Sequence, residues 1–109
     1  MTYRLTSHLR LQPFKRAIWY VHRVEHIGWK CHIIPQNTNE TWYDKPLKSI
    51  TVFVWRIHPH ADTVGVEIRK GYGDDHTVFE PITFWAYNLA EARALLANHG
   101  IKCTAEDFE

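Results

Sequence analysis

Residues 50–57 constrain the fold more than any other part of the chain. They begin Ile-Thr-Val-Phe-Val-Trp, so bulky apolar residues fill almost every position and do not alternate with polar ones. Such a run leaves little polar surface on either face, which is typical of a central strand covered on both sides. The segment therefore predicts a β-sheet on which at least one further layer packs.

Shorter segments around this strand alternate between apolar and polar residues, as half-buried strands do. Residues 3–11 predict a first strand, with leucines and Tyr3 on one side and arginines on the other. Residues 29–34, 64–69 and 77–86 predict further strands, with Pro81 marking a break or an edge position in the last of them. The polar stretch 36–48 is expected to be a connection.

Residues 14–27 are assigned to a helix, because apolar residues recur there at steps of three and four and Gly28 follows where a glycine would end a helix. The competing interpretation is a strand, since the run from Ile18 to Val21 is made of good strand formers.

A second helix is predicted to follow Asn88. Asn88 is a good N-cap residue and Glu91 stands three positions later, as in a capping box. Leucine and alanine side chains then form an apolar stripe, and Gly100 ends it. A short strand is expected from Ile101.

Together these segments predict one α+β domain spanning residues 1–109. A mainly antiparallel sheet of about five to six strands would carry two packed helices, in the order β-α-β-β-β-β-α-β. The length and the 45% hydrophobic fraction suit a single ordered core.

Charge and cysteine content limit the classes of function. The net charge is only +1, although residues 1–55 carry a net +5 and residues 56–109 a net −4, which suggests a basic and an acidic face. No signal peptide or membrane-spanning run is recognised, and Cys31 and Cys103 are interpreted as reduced thiols in the cytoplasm.

Aromatic residues are abundant for so short a chain, with five Trp and five Tyr. Tyr, Trp and Arg commonly anchor protein interfaces, and binding residues concentrate on loops. The candidate partner-binding residues are therefore those expected on loops and turns: Trp42, Tyr43, His58, His60 and Tyr72.

A nucleic-acid interface is the first alternative. The N-terminal half interleaves basic and aromatic residues, a mixture that combines phosphate contact with base stacking. If this interpretation holds, four cations should be exposed on one face: Lys15, Arg16, Arg23 and Lys30.

A metal-dependent hydrolase is the second alternative. Residues 22–26 read His-Arg-Val-Glu-His, and on a helix His22 and His26 would lie one turn apart with Glu25 as a base. The turn with His58, His60 and Asp62, or that turn with His76, could also group metal ligands.

Neither a phosphate-binding glycine loop nor a nucleophile elbow occurs in the sequence. The leading hypothesis is therefore a small non-enzymatic protein without a cofactor, which docks on another macromolecule. An inhibitor, an immunity protein and a phage-type or mobile-element accessory protein are the types that suit such a chain. A protein is the expected partner, nucleic acid is the alternative, and no membrane partner is expected.

Overall fold

A computed structural model of the chain describes residues 3–4, 10–18, 22–36, 38–74 and 78–108. These residues form a small α+β fold with one α-helix, α1 (Leu89–Asn98), and a short 3-10 helix (Ala105–Phe108). The strands are β1 (Tyr3–Arg4), β2 (Arg10–Ile18), β3 (His22–Ile33), β4 (Thr41–Trp42), β5 (Lys45–Arg56), β6 (Val64–Tyr72), β7 (Val78–Ala86) and β8 (Ile101–Lys102).

The main sheet is antiparallel throughout its described pairs, in the order β2-β3-β5-β6-β7 with β4 beside the start of β5. The expected sheet of five to six strands is confirmed. A separate parallel pair joins β1 to β8. Of the predicted first strand, residues 5–9 lie outside the described part of the chain.

Strand β5 lies in the middle of the sheet, as its continuous apolar run predicts, and both of its faces are buried. The helix α1 covers one face, called here the helix face. Its core combines alternate residues of the central strands with two residues of α1: Ile50, Val52, Val54, Val66, Ile68, Ala92 and Leu96.

The capping of α1 follows the sequence prediction. The Asn88 side chain accepts a hydrogen bond of 2.8 Å from the Glu91 amide, and the Glu91 carboxylate accepts one of 3.2 Å from the Tyr87 amide. Gly100 has a φ of 82°, which lets the chain turn sharply into β8.

The predicted helix over residues 14–27 is wrong. This part of the chain forms the facing strands of an antiparallel hairpin, with Arg16 opposite Val24 and Ile18 opposite His22. The three-residue and four-residue spacing of apolar residues arose by chance from two strands read as one segment. Residues 19–21, which connect the strands, lie outside the described residues.

This hairpin bends over the sheet at Gly28. Strand β3 pairs with β5 only from Gly28 to Ile33, whereas it pairs with β2 from His22 to Lys30. Beyond Gly28 the hairpin therefore diverges from β5 as a two-stranded segment, called here the ribbon, which consists of residues 13–18 and 22–27. A Cβ atom at Gly28 would lie 2.1 Å from the Val54 carbonyl oxygen, so this approach needs a glycine.

Contacts of Arg16 show how far the ribbon folds back. If the sheet were flat, the strand register would place Arg16 about 20 Å from Glu67 along the strand direction. Instead Arg16 Nε donates to Glu67 Oε1 at 3.3 Å, while Arg69 Nη2 donates to Glu67 Oε2 at 3.0 Å. Glu67 is 4% exposed, and a buried carboxylate needs such partners.

Beneath the ribbon lies a second apolar cluster, formed by Phe14, Phe53 and Trp55. The ring centroids of Phe14 and Phe53 are 5.2 Å apart, and the Arg16 guanidinium lies 4.5 Å from the centroid of the Trp55 ring. Gly65 leaves room for Trp55, since a Cβ at Gly65 would meet the indole at 2.4 Å. The ribbon thus supplies the second cover that the sequence of β5 requires.

Replacing Gly28 by alanine is expected to destabilise the protein by about 3 kcal/mol or more, because the added methyl group meets backbone atoms of β5 that cannot rotate away. Urea unfolding followed by tryptophan fluorescence measures the effect. Thr83→Ala, at an exposed position of β7, is the control and should cost less than about 1 kcal/mol. Equal effects of the two changes would contradict the bend at Gly28.

Candidate protein-docking surface

The turn between β5 and β6 is held by three hydrogen bonds. The Ile57 amide donates to the Thr63 carbonyl at 3.2 Å, and the Ala61 amide donates to the His58 carbonyl at 3.0 Å. Arg56 Nη1 donates to the Ala61 carbonyl at 2.9 Å. These bonds fix the turn backbone, while the side chains of His58 and His60 stay exposed, as the sequence predicts for this turn.

The end of β7 lies beside this turn. In the register of the sheet, Arg56 pairs with Val64 and Val64 pairs with Ala86, so the termini of these three strands lie at the same end of the sheet. Trp85 and Tyr87 flank Ala86 and are 60% and 77% exposed. The exposed residues gathered here are called the turn-end surface: Ile57, His58, His60, Trp85 and Tyr87.

Trp85 is supported from below. Its ring meets the buried Trp55 ring edge-on, with centroids 6.2 Å apart. An exposed aromatic side chain that rests on a buried one keeps a defined orientation, which lowers the entropy lost when a partner binds.

The other predicted docking residues lie at the opposite end of the sheet, more than about 30 Å away along β5. Trp42 packs on Tyr72, with ring centroids 5.6 Å apart, and contacts the core. Tyr43 stands at the tip of a two-residue turn with Asp44, where both residues have positive φ, and is 76% exposed. The five predicted residues therefore do not form one surface.

Tyr72 was expected on a loop, and this placement is wrong. It is the last residue of β6 and is 1% exposed. Its hydroxyl group donates to Glu40 Oε2 at 3.0 Å, so the ring is part of the core and its polar end is already bonded. Tyr72 therefore belongs to the packing beneath Trp42 and not to an accessible surface.

At the Trp42–Tyr43 end of the sheet, the Glu40 carboxylate accepts hydrogen bonds from several side chains. Lys70 Nζ donates to Glu40 Oε2 at 2.9 Å, and the Tyr3 hydroxyl donates to Oε1 at 3.2 Å. Partial burial alone would raise the pKa of Glu40. The hydrogen bonds from Lys70, Tyr72 and Tyr3 and the charge of Lys70 outweigh burial and hold this pKa below its ordinary value.

Glu40→Gln is expected to cost roughly 1–2 kcal/mol of stability at pH 7, since the charge-assisted bonds of a partly exposed carboxylate are lost. The pKa of Glu40 is lower in the folded state than its ordinary value of 4.5, so the ionised carboxylate stabilises the folded state above pH 4.5. This stabilisation is lost as the pH falls from 4.5 through the lowered pKa. Urea unfolding should therefore show a deficit that shrinks below pH 4.5. Asp62→Asn, in the exposed turn, is the control. A deficit that does not change with pH would contradict the account.

The four candidate cations are divided between the two sides of the ribbon. Lys15 and Arg23 are exposed on its outer side, near Glu25 in the register. Arg16 lies on the inner side, bound to Glu67, and Lys30 Nζ lies 5.6 Å from the centroid of the buried Phe53 ring. The expectation that all four share an exposed face is wrong, because strand alternation separates neighbours that a helix would have grouped.

The proposed zinc motif fails for the same reason. His22 and His26 lie on strand β3, where four residues span about 13 Å, too far for two ligands of one tetrahedral zinc ion. The described residues contain no group of three metal-ligand side chains that could hold an ion. His76, considered with the turn histidines, lies outside the described residues.

His26 instead packs under the ribbon. Its ring lies between those of Phe14 and Trp55, at centroid distances of 5.7 and 5.1 Å, and Nε2 is buried without a hydrogen-bond partner among the described residues. Burial, and then the charge of Arg16, lower the pKa of His26. The neutral imidazole thus belongs to the second cluster.

A lowered histidine pKa makes the folded state lose stability as the pH falls below the ordinary value of 6.5, because the unfolded chain takes up the proton more readily. His26→Phe keeps an aromatic ring and removes the unpartnered nitrogen. We expect this variant to lose less stability than the wild type between pH 7 and pH 5 in urea unfolding. An identical pH dependence in both proteins would show that His26 is not buried as described.

Neither cysteine forms a disulfide bond with a described residue, and both have structural surroundings. Cys31 is buried in the helix face, and Cys103 is half-buried beside it. Burial, together with the charge of Asp107, raises the pKa of Cys103 to about 11 in spite of the nearby Arg93. A thiol with so high a pKa is a poor nucleophile at neutral pH.

The sequence prediction missed three residues of the turn-end surface: Ile57, Trp85 and Tyr87. All three lie in or next to segments predicted as strands. One signal was present, because Trp85 and Tyr87 are two positions apart and flank the small Ala86 at the end of an edge strand. Residues two positions apart on a strand share one face, so two large aromatic side chains on the face opposite the small Ala86 indicate that this face is not packed in the core.

Comparisons with known proteins identify no relative: no family model, curated protein or solved structure matches the chain. None of the described helices is long and apolar enough to cross a membrane. The function is therefore argued from the site itself.

Proposed function

We propose that this chain is a small non-enzymatic protein that docks on another protein through the turn-end surface. The observation that supports the proposal is that the exposed Trp85, Tyr87 and Ile57 lie at the same end of the sheet as a hydrogen-bonded turn that carries two histidines. Interfaces draw most of their binding energy from a few such aromatic anchors on a fixed framework.

The turn-end surface is preferred over the Trp42–Tyr43 end for a physical reason. At that end Trp42 already packs against Tyr72, and Tyr43 is the exposed aromatic side chain that remains. At the turn end, three large apolar side chains are exposed, and the exposed polar side chains of His58 and His60 lie on the adjoining turn. An apolar centre with a polar rim is the usual arrangement of a protein interface.

The nucleic-acid alternative has less support. Arg16 is committed to Glu67, and Phe53, beneath Lys30 and Arg69, is buried. Binding of single strands needs accessible aromatic faces next to free cations. An inhibitor, immunity or accessory role remains within the docking proposal, because each requires a surface specific for one partner protein.

The test starts from the tagged wild-type protein as bait, with nuclease-treated lysate of the source cells. A specific partner protein, identified by mass spectrometry and purified, is then titrated against variants by calorimetry. Trp85→Ala and Tyr87→Ala should each raise Kd at least about 30-fold, which corresponds to an anchor worth about 2 kcal/mol. Tyr43→Ala is the matched control, because Tyr43 is as exposed as Tyr87 but lies at the other end.

The proposal fails if Tyr43→Ala weakens binding while Trp85→Ala and Tyr87→Ala leave it unchanged. It also fails if capture disappears after nuclease treatment, since the partner would then be bound through nucleic acid. Circular dichroism of each variant should match the wild type, so that a loss of binding reflects the surface and not the fold.

A further inference from the structure

The ribbon leaves one edge of strand β3 open. Residues 22–27 pair with β2 on one side, and on the other side no described strand pairs with them, because β5 contacts β3 only from Gly28 onward. The amide and carbonyl groups of an open edge favour the addition of another strand. The edge strand β7, in contrast, contains Pro81, which cannot donate a hydrogen bond.

The sequence of this open edge is complementary to itself. Residues 22–26 read His-Arg-Val-Glu-His, so that histidines lie at both ends, opposite charges flank the centre, and Val24 lies in the middle. When two such strands run antiparallel with Val24 opposite Val24, Arg23 of each copy faces Glu25 of the other. Opposite charges directly across an antiparallel pair stabilise the pairing.

The side chains needed for this pairing are exposed: Arg23, Val24 and Glu25. Lys15 of β2 lies opposite Glu25 in the register, but neither Arg23 nor Glu25 forms an ion pair with a described residue. Arg23 and Glu25 lie on the same side of the strand, because they are two residues apart. A second copy would therefore meet both charges on one face.

The charges also select the register. A shift that places Glu25 opposite Glu25, or Arg23 opposite Arg23, brings like charges together, which is unfavourable. In the symmetric register with Val24 at its centre, Arg23 of each copy faces Glu25 of the other, which gives two oppositely charged pairs. A twofold axis through this point gives the self-complementary contact that most homodimers use.

The surroundings of the edge suit a second strand. A groove of about 530 Å3 lies where the ribbon leaves β5, and Ile27, Trp29 and Arg56 are among the residues that line it. Ile27 is 68% exposed beside the open edge. A strand added to β3 would cover part of Ile27 and would extend the ribbon into the second copy.

We infer that two copies of this chain associate through residues 22–27 of β3, antiparallel and with Val24 on the twofold axis. The partner at this edge is thus a second copy of the chain. The groove beside this edge is also lined by Ile57 and His58 of the turn-end surface. The inference rests on the charges of Arg23 and Glu25 and does not depend on the docking function proposed above.

Sedimentation equilibrium from 5 to 200 µM, on the order of the micromolar affinities of small interfaces, tests the inference. The wild type should approach twice the 12.9 kDa chain mass as the concentration rises. Arg23→Glu and Glu25→Arg should each weaken association at least about tenfold, because each places two like-charge pairs across the edge. The double variant, Arg23→Glu with Glu25→Arg, should restore it.

Mixing the two single variants gives the sharpest result. A chain with two acidic residues at the edge matches a chain with two basic residues, so the mixture should form a heterodimer at concentrations where each variant alone is mostly monomeric. Lys45→Glu, at an exposed position of β5, is the control and should leave association unchanged.

Three results would overturn the inference: a wild type that stays monomeric at the highest concentration, single variants that associate as the wild type does, or weakened variants that neither the double exchange nor mixing restores. Urea unfolding of each variant at 1 µM checks that the monomer fold is retained. Trp85→Ala should not alter the sedimentation result, which separates this inference from the docking proposal.

Discussion

The close approach of the Gly28 backbone to β5 is the constraint on which the other features depend. At this residue β3 comes too near the Val54 carbonyl to carry any side chain, and beyond it β3 departs from the sheet. The departing ribbon covers Phe53 and Trp55, so β5 is buried on both faces although the described residues contain one α-helix. The ion pair between Arg16 of the ribbon and Glu67 of β6 then holds the ribbon in place, and Arg69 of β6 is the second partner of Glu67.

The same bend determines which surfaces remain for binding. It exposes one edge of β3 and opens a groove beside the end of β5, next to the turn that carries His58. At that end of the sheet Trp85 and Tyr87 stay uncovered, whereas the opposite end is tied together by Glu40 with its lysine and tyrosine partners. One end of the molecule is therefore closed by polar bonds, and the other presents apolar side chains to a partner.

Sequence reasoning predicted the features that depend on local chemistry. The continuous apolar run of β5, the strand assignment of β6, the Asn88 cap with Glu91 and the Gly100 turn all follow from neighbouring residues. The alternation in β6 predicted one exposed face, and this is wrong: Glu67 on that face is 4% exposed because the ribbon covers it. The ribbon was missed because its evidence is not local: Phe14 is buried by Phe53 and Trp55, residues far along the chain. Apolar spacing alone could not distinguish a helix from two facing strands over residues 14–27.

The candidate site was predicted in part for similar reasons. The exposed His58 and His60 follow from turn residues in the sequence, but the proximity of Trp85 and Tyr87 depends on the register between β6 and β7. The incorrect helix assignment also led to the interpretation of residues 22–26 as a metal site. On a helix they resemble such a site, whereas on a strand the same five residues form an edge with alternating, self-complementary charges.

Amide hydrogen exchange across β3, measured by NMR at 5 µM and 200 µM, tests the central claim of a bent ribbon with one open edge most directly. The account predicts that residues 28–33 contain strongly protected amides at both concentrations. Within residues 22–27, alternate amides should exchange rapidly at 5 µM and become protected at 200 µM. Protection of consecutive amides over residues 14–27 at both concentrations would indicate a helix and would contradict the account.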